Sequence, residues 1–408
     1  MPPKPPRAGV PAGRVRPPDR RAHIVAAATI GFSEHGFHGT KLSEIADSAG
    51  ISAPALYRHF ANKSDLLGAV VRDMSARVQA ALAAVPPQPG APEAELTALL
   101  DAYVANVLAH RHHSDIYRWE WQSLAEPDRE FARGLRREAH RRTRGLIAGL
   151  RPDLSRAQCD ALTDAVFAIA SSPGNHRVTL PRKIIGPLLR NAALAAVHAE
   201  LPANPSASDS VPGLTPNGRR ETILTESVVL FADRGFHDVT VEDIAAAVGL
   251  PPSGVYRHFP SKQAILTAAL HRASERTTSA ISAGLAQSGG RDEALVRLAE
   301  QYTRLCVAEP AIVTAYRRCI GTLDEEQRAQ LRRQQRTNVD EWSTWLLDAR
   351  PEVPPNAARF LVHAALDAIT DLTCHDHPTD AATATAIALA VLRETSLEGV
   401  VRERPVRG

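Results

Sequence analysis

One short phrase occurs twice in this chain of 408 residues. LYRHFANK stands at residues 56–63 and VYRHFPSK at residues 255–262, so Tyr57 and Tyr256 are 199 positions apart. Identical residues at the same separation, without a gap, extend far beyond the phrase: Arg20-Arg21 with Arg219-Arg220, Gly36-Phe37-His38 with Gly235-Phe236-His237, Tyr103 with Tyr302, Arg151-Pro152 with Arg350-Pro351, and His176 with His375. An ungapped repeat of this length indicates that a whole domain was duplicated. The fold must therefore be built from two copies of one unit.

Two segments differ in composition from the copies. Residues 1–18 are dominated by Pro, Gly and Ala, carry four basic residues and cannot bury a core, which predicts a disordered basic arm. Residues 201–218 have the Pro, Ser, Asn and Gly content of an interdomain linker. Each copy on either side of this linker is long enough to bury a core of its own.

Apolar residues recur at three- and four-residue intervals through both copies, and Gly and Pro mark the breaks. This pattern predicts an all-α fold, and no segment has the alternation of a strand. In copy one we expect helices near residues 20–35, 41–49, 53–59, 63–84, 93–110, 115–124, 127–150, 155–172 and 187–201, and copy two repeats the series.

The first three helices of each copy have the layout of a helix-turn-helix unit. A long helix ends at Gly36, a short one ends at Gly50, and a very short helix then carries the repeated phrase. Glycine suits such helix ends because it reaches a left-handed backbone conformation without strain. In copy two, Thr240 and Asp243 form the T-x-x-D variant of a capping box. Copy one has Lys41 at the matching position, so its cap is either Thr40 or missing.

Residues 20–67 and 219–266 resemble the DNA-binding domain of TetR/AcrR-type transcriptional regulators. That motif is an ordered series of a Gly-Phe/Tyr pair, Ile-Ala, Gly-hydrophobic and Leu-Tyr-x-x-Phe followed by Lys. The matching residues are Gly36-Phe37, Ile45-Ala46, Gly50-Ile51, Leu56 to Phe60 and Lys63 in copy one, and Gly235-Phe236, Ile244-Ala245, Gly249-Leu250, Val255 to Phe259 and Lys262 in copy two. The resemblance implies two tandem TetR-like domains, each with a DNA-binding head and a helical ligand-binding and dimerisation bundle.

On this resemblance the chain divides into six segments. They are a disordered basic arm at 1–18, DNA-binding helix-turn-helix 1 at 19–67, ligand-binding and dimerisation domain 1 at 68–200, a linker at 201–218, DNA-binding helix-turn-helix 2 at 219–266, and ligand-binding and dimerisation domain 2 at 267–400.

The resemblance also implies which residues contact a double-stranded DNA operator. Small residues at the start of the third helix would face base edges, and Tyr, His and Lys near its end would donate to phosphate oxygens. Arg58 and Arg257 suit either purpose. The expected DNA-binding residues are Lys41, Ser52, Ala53, Pro54, Ala55, Tyr57, Arg58, His59 and Lys63 in copy one, and Thr240, Pro251, Pro252, Ser253, Gly254, Tyr256, Arg257, His258 and Lys262 in copy two. Leu56, Phe60, Val255 and Phe259 are expected in the core.

Charge distinguishes the two heads. Residues 19–67 hold five basic and five acidic residues, whereas residues 218–266 hold five basic and six acidic ones. Only copy one also has the basic arm. Because neutralisation of phosphates supplies much of the affinity for DNA, copy one should be the stronger anchor. A ligand-responsive interaction protein with one or both heads degenerate is the alternative.

Regulators of this family typically act as homodimers on palindromic operators, so a fused pair of copies predicts an intramolecular pseudo-dimer. The Ala- and Leu-rich final helices, Pro187 to Leu201 and Ala381 to Leu392, suit close packing. The candidate base-facing residues differ between copies, which predicts an imperfect palindrome. Further homodimerisation is compatible with this prediction.

The resemblance implies a small-molecule effector that releases a repressor from DNA, and we expect this effector to be of apolar or acyl type. Candidate lining residues are the aromatic side chains Tyr103, Tyr117, Trp119, Trp121, Tyr302, Tyr316, Trp342 and Trp345. A metal-responsive regulator is the alternative, on His110-x-His112-His113 and Cys374-His375-Asp376-His377. Neither cluster has the spacing of a closed structural site, and a solvated helix end is the simpler interpretation.

Composition limits the other functional classes. The four cysteines have no paired spacing, no run approaches the length of a membrane span, and the net charge of +3 is small. We therefore expect a cytoplasmic, nucleoid-associated protein without disulfides. No nucleophile elbow, phosphate loop or zinc-protease motif occurs, so we expect neither catalysis, a cofactor nor a bound metal.

Overall fold

The computed structural model describes residues 20–111, 116, 123–203, 218–374 and 378–400. Copy one contributes eight described helices: α1 (Arg20–Gly39), α2 (Leu42–Ser48), α3 (Ala53–Tyr57), α4 (Lys63–Ala83), α5 (Pro92–Ala109), α6 (Glu126–Leu150), α7 (Arg156–Ser171) and α8 (Arg182–His198). These bounds lie close to the predicted ones. The arm at 1–18 lies outside the described residues, as do most of the helix expected near residues 115–124 and most of the linker.

Copy two repeats the order with one more described helix. Its elements are α9 (Arg219–Arg234), α10 (Val241–Ala247), α11 (Pro252–Tyr256), α12 (Lys262–Ala286), α13 (Arg291–Ala308), α14 (Pro310–Cys319), α15 (Glu325–Ala349), α16 (Pro355–Thr373) and α17 (Ala381–Arg393). Short 3₁₀ turns follow α7 and α14, at Ser172–Asn175 and Ile320–Thr322. The fold is all-α, with no strand among the residues described, which confirms the predicted fold class.

Each copy begins with a three-helix head that packs on the start of its fourth helix. In head 1, α1 packs on α2 and α4, and Phe32, Ile45, Leu56 and Phe60 are fully buried between them. In head 2, Phe231, Ile244, Val255 and Phe259 occupy the matching positions and are equally buried. The four residues expected in the core from the repeated phrase, Leu56, Phe60, Val255 and Phe259, are therefore confirmed there.

The last two helices of each copy pack against those of the other copy. Helix α7 lies on α16, and α8 lies on α17. Small buried side chains such as Ala192 and Ala196 in α8 and Ala384 and Ala388 in α17 allow the helices to approach closely. One continuous apolar core joins the body of copy one to all of copy two. The core of head 1 forms a separate cluster, together with Ile116, Leu124 and Ala132 of the body.

Polar contacts also cross the boundary between the copies. Asn175 donates from its amide to a carboxylate oxygen of Asp367, 2.5 Å away. Asn191 donates to the carbonyl oxygens of Ser396 at 2.9 Å and Glu398 at 3.1 Å. The boundary therefore combines an apolar helix interface with specific hydrogen bonds.

Helix α8 starts earlier than the sequence predicted. It begins at Arg182, and Pro187 lies within it as its sixth residue rather than at its start. Proline lacks the N–H that would bond the carbonyl of Lys183, but that carbonyl belongs to an exposed residue at the helix start and can be hydrated. Among the described helices, none is long and apolar enough to cross a membrane.

Candidate nucleic-acid interface

Glycines shape the turns that position the third helix of each head. Gly50 and Gly249 follow the second helix with φ of 66° and 65°, the left-handed conformation expected for them. The next residue closes the helix end in both copies, since Ile51 donates its N–H to Ala46 at 3.0 Å and Leu250 donates to Ala245 at 2.9 Å. The predicted helix ends at these positions are confirmed.

The second helices begin differently in the two copies. Thr240 accepts the N–H of Asp243 at 3.1 Å, and an Asp243 carboxylate oxygen accepts the N–H of Thr240 at 2.8 Å, which confirms the capping box. The bonds from Thr240 hold the pKa of Asp243 below its usual range. In copy one the cap residue is Lys41, and its side chain makes no capping bond. Thr40 instead buries its hydroxyl and donates to the carbonyl oxygens of Gly31 and Gly36 at 2.9 and 2.7 Å.

The residues predicted to face bases lie at the start of the third helices. Ser52 precedes α3 and is exposed together with Pro54, whereas Ala53 and Ala55 are half-buried. In copy two, Pro251, Pro252 and Ser253 are exposed and Gly254 is half-buried. None of these side chains is larger than proline. A surface of this kind allows another molecule to approach the helix backbone closely.

Hydrogen-bond donors surround the end of each third helix. Tyr57 is 54% exposed and Tyr256 is 51% exposed, although tyrosine normally buries most of its ring. The arginine and histidine that follow each tyrosine are also exposed: Arg58 and His59 in copy one, Arg257 and His258 in copy two. Each head therefore presents a phenol, a guanidinium and an imidazole on one solvent-facing segment.

Lys63 and Lys262, which are predicted to bind phosphates, make contacts within their own heads. The ammonium of Lys262 donates to the carbonyl oxygens of Phe236 at 2.7 Å and Val239 at 2.6 Å, and it lies 4.3 Å from the centre of the Phe236 ring. Lys63 donates to the carbonyl of His38 at 3.2 Å and lies 4.8 Å from the centre of the Phe37 ring. Burial lowers the pKa of Lys262. These contacts favour a structural role over the predicted phosphate contact.

The first helix of each head carries a contact that the sequence reasoning missed. The guanidinium of Arg21 lies 4.7 Å from the centre of the Phe60 ring, and Arg220 lies 4.5 Å from that of Phe259. Such a cation–π contact covers the core aromatic ring with a positive charge. The signal was present in the sequence, because both the Arg-Arg pair and the phenylalanine recur at the fixed separation.

The two heads touch at equivalent residues. The imidazole rings of His38 and His237 stack with their centres 4.1 Å apart. Burial of each ring by the other head lowers the pKa of His38, and burial together with the neighbouring His38 and Lys262 lowers the pKa of His237 to about 4. The pair is therefore neutral near pH 7. Helix α1 also packs on the Ile320–Thr322 turn of copy two.

A cavity of about 790 Å³ lies in the body of copy one, between α4, α5, α6 and α7, and residues of α14 and α16 from copy two also line it. A second cavity, of about 1270 Å³, lies between the heads and the body of copy two. Of the aromatic residues predicted to bind an effector, Tyr103 lines the first cavity, and Tyr302 and Tyr316 line the second. Trp342 is buried and lines neither, and Trp345 donates its indole N–H to Glu341 at 2.9 Å. Tyr117, Trp119 and Trp121 lie outside the described residues.

The clusters considered for a metal are only partly described. His112, His113 and residues 375–377 lie outside the described part of the chain. The described remainder holds no group of three or more His, Cys, Asp or Glu side chains with the geometry of a metal site. His110 lies at the end of α5, where burial and the nearby Arg77 lower its pKa. The four cysteines are free thiols.

Both heads match one protein family. Residues 24–70 and residues 223–269 each match the model of the bacterial regulatory proteins of the tetR family. The chain belongs to the TetR family. It carries the family's head twice, in tandem copies.

Individual regulators are similar to parts of this tandem TetR-family chain. A transcriptional activator, FasR of Mycolicibacterium smegmatis, is 43% identical over 54 residues, which cover 13% of this chain and 25% of FasR. A transcriptional repressor, KstR2 of Mycobacterium tuberculosis, is 30% identical over 118 residues, 29% of this chain and 58% of KstR2. The chain thus spans between a quarter and somewhat over half of these relatives.

Solved structures of tetR-family regulators align with less than half of this chain. The structure of the ketosteroid transcriptional regulator KstR2 of Mycobacterium tuberculosis has a TM-score of 0.40 and 19% identity, covering 46% of this chain and 97% of that one. A tetR-family regulator from Rhodococcus RHA1 has a TM-score of 0.40 and 24% identity, covering 43% of this chain and 96% of that one.

In the tandem TetR-family chain, all eighteen predicted DNA-contact residues fall inside the two matched segments, between Lys41 and Lys63 and between Thr240 and Lys262. The cavity of copy one lies outside them, since its walls begin at Met74. The family match therefore covers only the heads. The chemistry of the cavity follows from the residues that line it.

Proposed function

We propose that this chain is a sequence-specific DNA-binding transcriptional regulator. The observation that carries the proposal is the surface of the third helix, repeated in both heads. Small residues begin the helix and exposed Tyr, Arg and His side chains end it. Small residues permit close approach to base edges in the major groove, and the polar side chains bind phosphates and fix the register.

The chain acts as a covalent pseudo-dimer that reads one imperfect palindrome. The packing of α7 and α8 on α16 and α17 supports this proposal, because it joins the bodies of the two copies much as an interface joins two subunits. The segment Ser52 to Ala55 differs in sequence from Pro251 to Gly254. The two half-sites should therefore differ in sequence.

Head 1 is the stronger anchor of the two. Its own charge is balanced, whereas head 2 carries one more acidic than basic residue, and only head 1 is preceded by the basic arm. Substitutions in head 1 should therefore weaken total affinity for the operator more than equivalent substitutions in head 2.

A small-molecule effector releases the regulator from DNA. Helix α4 supports this route, since its first turns pack on α1 of head 1 and its later turns line the cavity of copy one. A ligand that fits the cavity differently in the DNA-bound and free arrangements shifts the equilibrium between them. Repression relieved by the ligand is the simplest outcome of this coupling.

The test is a footprint of the purified chain on the DNA that flanks its own gene, with affinities measured for matched variants. Tyr57→Phe and Tyr256→Phe each remove a single phenol hydroxyl from an exposed position. We expect each to lower affinity, by roughly tenfold for Tyr57, because a hydrogen bond to a phosphate oxygen contributes about 1.5 kcal/mol. Ile30→Ala, an exposed apolar position on α1, serves as the control.

Two unlike protected half-sites, with centres about 34 Å apart or a multiple of that distance, are the expected footprint. Protection of one half-site alone would show that head 2 does not read DNA. If the tyrosine variants bind every DNA fragment as the parent chain does, the heads are not DNA readers and the chain is an interaction protein.

A further inference from the structure

The two copies differ in the interior of their bodies. At the fixed separation, Thr143 in copy one corresponds to Trp342 in copy two, and Ala139 corresponds to Asn338. Thr143 and Ala139 both line the cavity of copy one. Their counterparts are much larger and line neither of the two cavities. The inner part of this space is therefore open in copy one and filled in copy two, whereas other counterparts of the lining, such as Tyr302, Val339 and Leu366, line the second cavity.

The filling in copy two is well packed. Trp342 is 1% exposed, and its ring lies edge-on to Tyr302 with the centres 6.4 Å apart. The side-chain oxygen of Asn338 accepts a hydrogen bond from Thr278 at 3.2 Å and from Gln334 at 3.3 Å. A large aromatic ring with a satisfied polar neighbour leaves no room for another molecule. Farther from Trp342, the body of copy two borders the second cavity, which lies between the heads and that body.

The opening in copy one interrupts its core. In the middle of α4, Met74 and Val78 are only half-buried and Gln79 is exposed, and all three line the cavity. The core of head 1 is also separate from the core of the bodies, whereas head 2 shares its core with them. A cavity that interrupts a core gives up contacts which a bound ligand can restore.

The walls of this cavity are apolar on one side and basic on the other. Val78, Leu82, Leu99 and Phe167 supply apolar surface. Six arginines line the cavity, against three acidic residues, Glu138, Asp164 and Asp371. All six have partners in the protein: Arg77 pairs with Asp73, Arg133 with Glu126, Arg136 with Asp164, Arg142 with Glu95 and Arg317 with Asp367 and Asp371, and Arg318 donates to the carbonyl oxygen of Ala232. Each guanidinium has five N–H donors, so a paired arginine can still donate to a ligand, and such a wall beside apolar surface suits a molecule with an apolar body and an anionic end.

We propose that the chain binds one effector rather than two, an amphiphilic organic anion, in the cavity of copy one, while Trp342 fills the inner part of the equivalent site of copy two. This inference rests on the proposed function and specifies the effector site within it. The cavity reaches both heads, because its wall includes α4, which supports head 1, and Arg318 of α14. Arg318 donates to the carbonyl oxygen of Ala232 at the end of α9 in head 2. One ligand thus contacts the supports of both heads.

The test uses two fluorescent probes that share an apolar body. 8-Anilinonaphthalene-1-sulfonate carries an anionic group, and N-phenyl-1-naphthylamine is its neutral counterpart. We expect the full chain to bind one sulfonate probe, about tenfold more tightly than the neutral one, because the arginines favour the charged end. Arg136→Gln should weaken binding of the sulfonate probe and leave binding of the neutral probe unchanged.

The site itself is tested by filling it. Thr143→Trp copies the residue of copy two into copy one and should reduce probe affinity at least about tenfold, since the ring occupies the space of the ligand. Thr143→Val keeps the volume and should bind as the parent does. Circular dichroism checks folding, and Ala139→Asn is the second filling variant if Thr143→Trp does not fold.

DNA affinity measured on the same samples separates this proposal from the proposed function. Thr143→Trp should bind the operator normally and no longer respond to the sulfonate probe. Two probes per chain, undiminished binding to both filling variants, or no probe binding to the parent chain would each overturn the single-site proposal. Equal affinity for the two probes would show that the site does not select an anionic effector. A parent chain that binds the probe but no DNA would instead overturn the proposed function.

Discussion

Lys262 shows how one residue of a recognised motif can serve the head rather than the DNA. Its ammonium bridges two carbonyl oxygens of the turn between α9 and α10 and lies over the Phe236 ring. Lys63 makes the corresponding contact with the carbonyl of His38 in copy one. Because a charged donor that ties a turn contributes to stability, the prediction for these lysines concerns folding.

We predict that Lys262→Met destabilises head 2 by about 1–2 kcal/mol, since the two carbonyl oxygens lose a charged donor. The slope of log affinity against log salt concentration for DNA should stay unchanged. Urea unfolding and salt titrations of the same variant measure the two effects. Arg257→Ala is the matched control, and it should lower the salt slope by about one while leaving stability unchanged. A reduced salt slope for Lys262→Met would show that Lys262 contacts a DNA phosphate.

At the scale of the element, the short helices α2 and α10 begin with different chemistry. Helix α10 has the reciprocal bonds between Thr240 and Asp243, whereas at α2 only the Glu44 carboxylate bonds back to the N–H of Lys41, at 3.3 Å. Both helices have seven residues, too few to be stable without such bonds and tertiary packing. The cap therefore sets the local stability of the second helix.

Thr240→Ala should destabilise α10 by about 1 kcal/mol, because the N–H of Asp243 loses its acceptor. Amide hydrogen exchange in residues 241–247 measures the effect locally, where faster exchange is expected. Lys41→Ala at the start of α2 removes no capping bond from the side chain and should change stability by less than about 0.5 kcal/mol. Equal effects of the two substitutions would show that the capping bonds do not stabilise α10.

At the scale of the whole molecule, a pair of histidines lies in the interface between the copies. The rings of His176 and His363 stack with their centres 4.1 Å apart, and Nδ1 of His176 accepts the N–H of Val178 at 3.2 Å. Arg111 lies beside the pair, with its guanidinium 3.4 Å from His176, and Asp340 faces His363. Burial lowers the pKa of His363 to about 4 and the pKa of His176 well below 6.5.

We predict that stability falls as the pH drops below about 6.5. The unfolded chain takes up protons on both histidines near that pH, whereas the folded chain holds them neutral, so acidification favours unfolding. Thermal unfolding between pH 7.5 and 5.0 measures the loss. His363→Leu removes one titrating group and should flatten the dependence, while the exposed His23→Asn should not. An unchanged pH dependence of stability in His363→Leu would show that other titrating groups cause the loss of stability.

Short-range sequence patterns were sufficient to predict the features that depend on neighbouring residues. The helix bounds, the glycines with positive φ and the cap at Thr240 all follow from residues within a few positions of one another. The aromatic residues of the repeated phrase lie in the core because helix periodicity fixes which face they occupy. For the heads, the sequence predicted both the fold and the exposed donor set.

The tertiary structure decided what depends on packing between distant segments. Lys63 and Lys262 turn inward because carbonyl oxygens about 25 positions earlier in the chain lie within reach. The replacement of Thr143 by Trp342 is visible in the sequence, but only packing shows that this position faces the interior and that the larger ring fills a cavity. Helix patterning establishes that a side chain points inward. The volume left beside it depends on every other element around it, and this is why the sequence alone determined two similar copies while the tertiary structure made their interiors different.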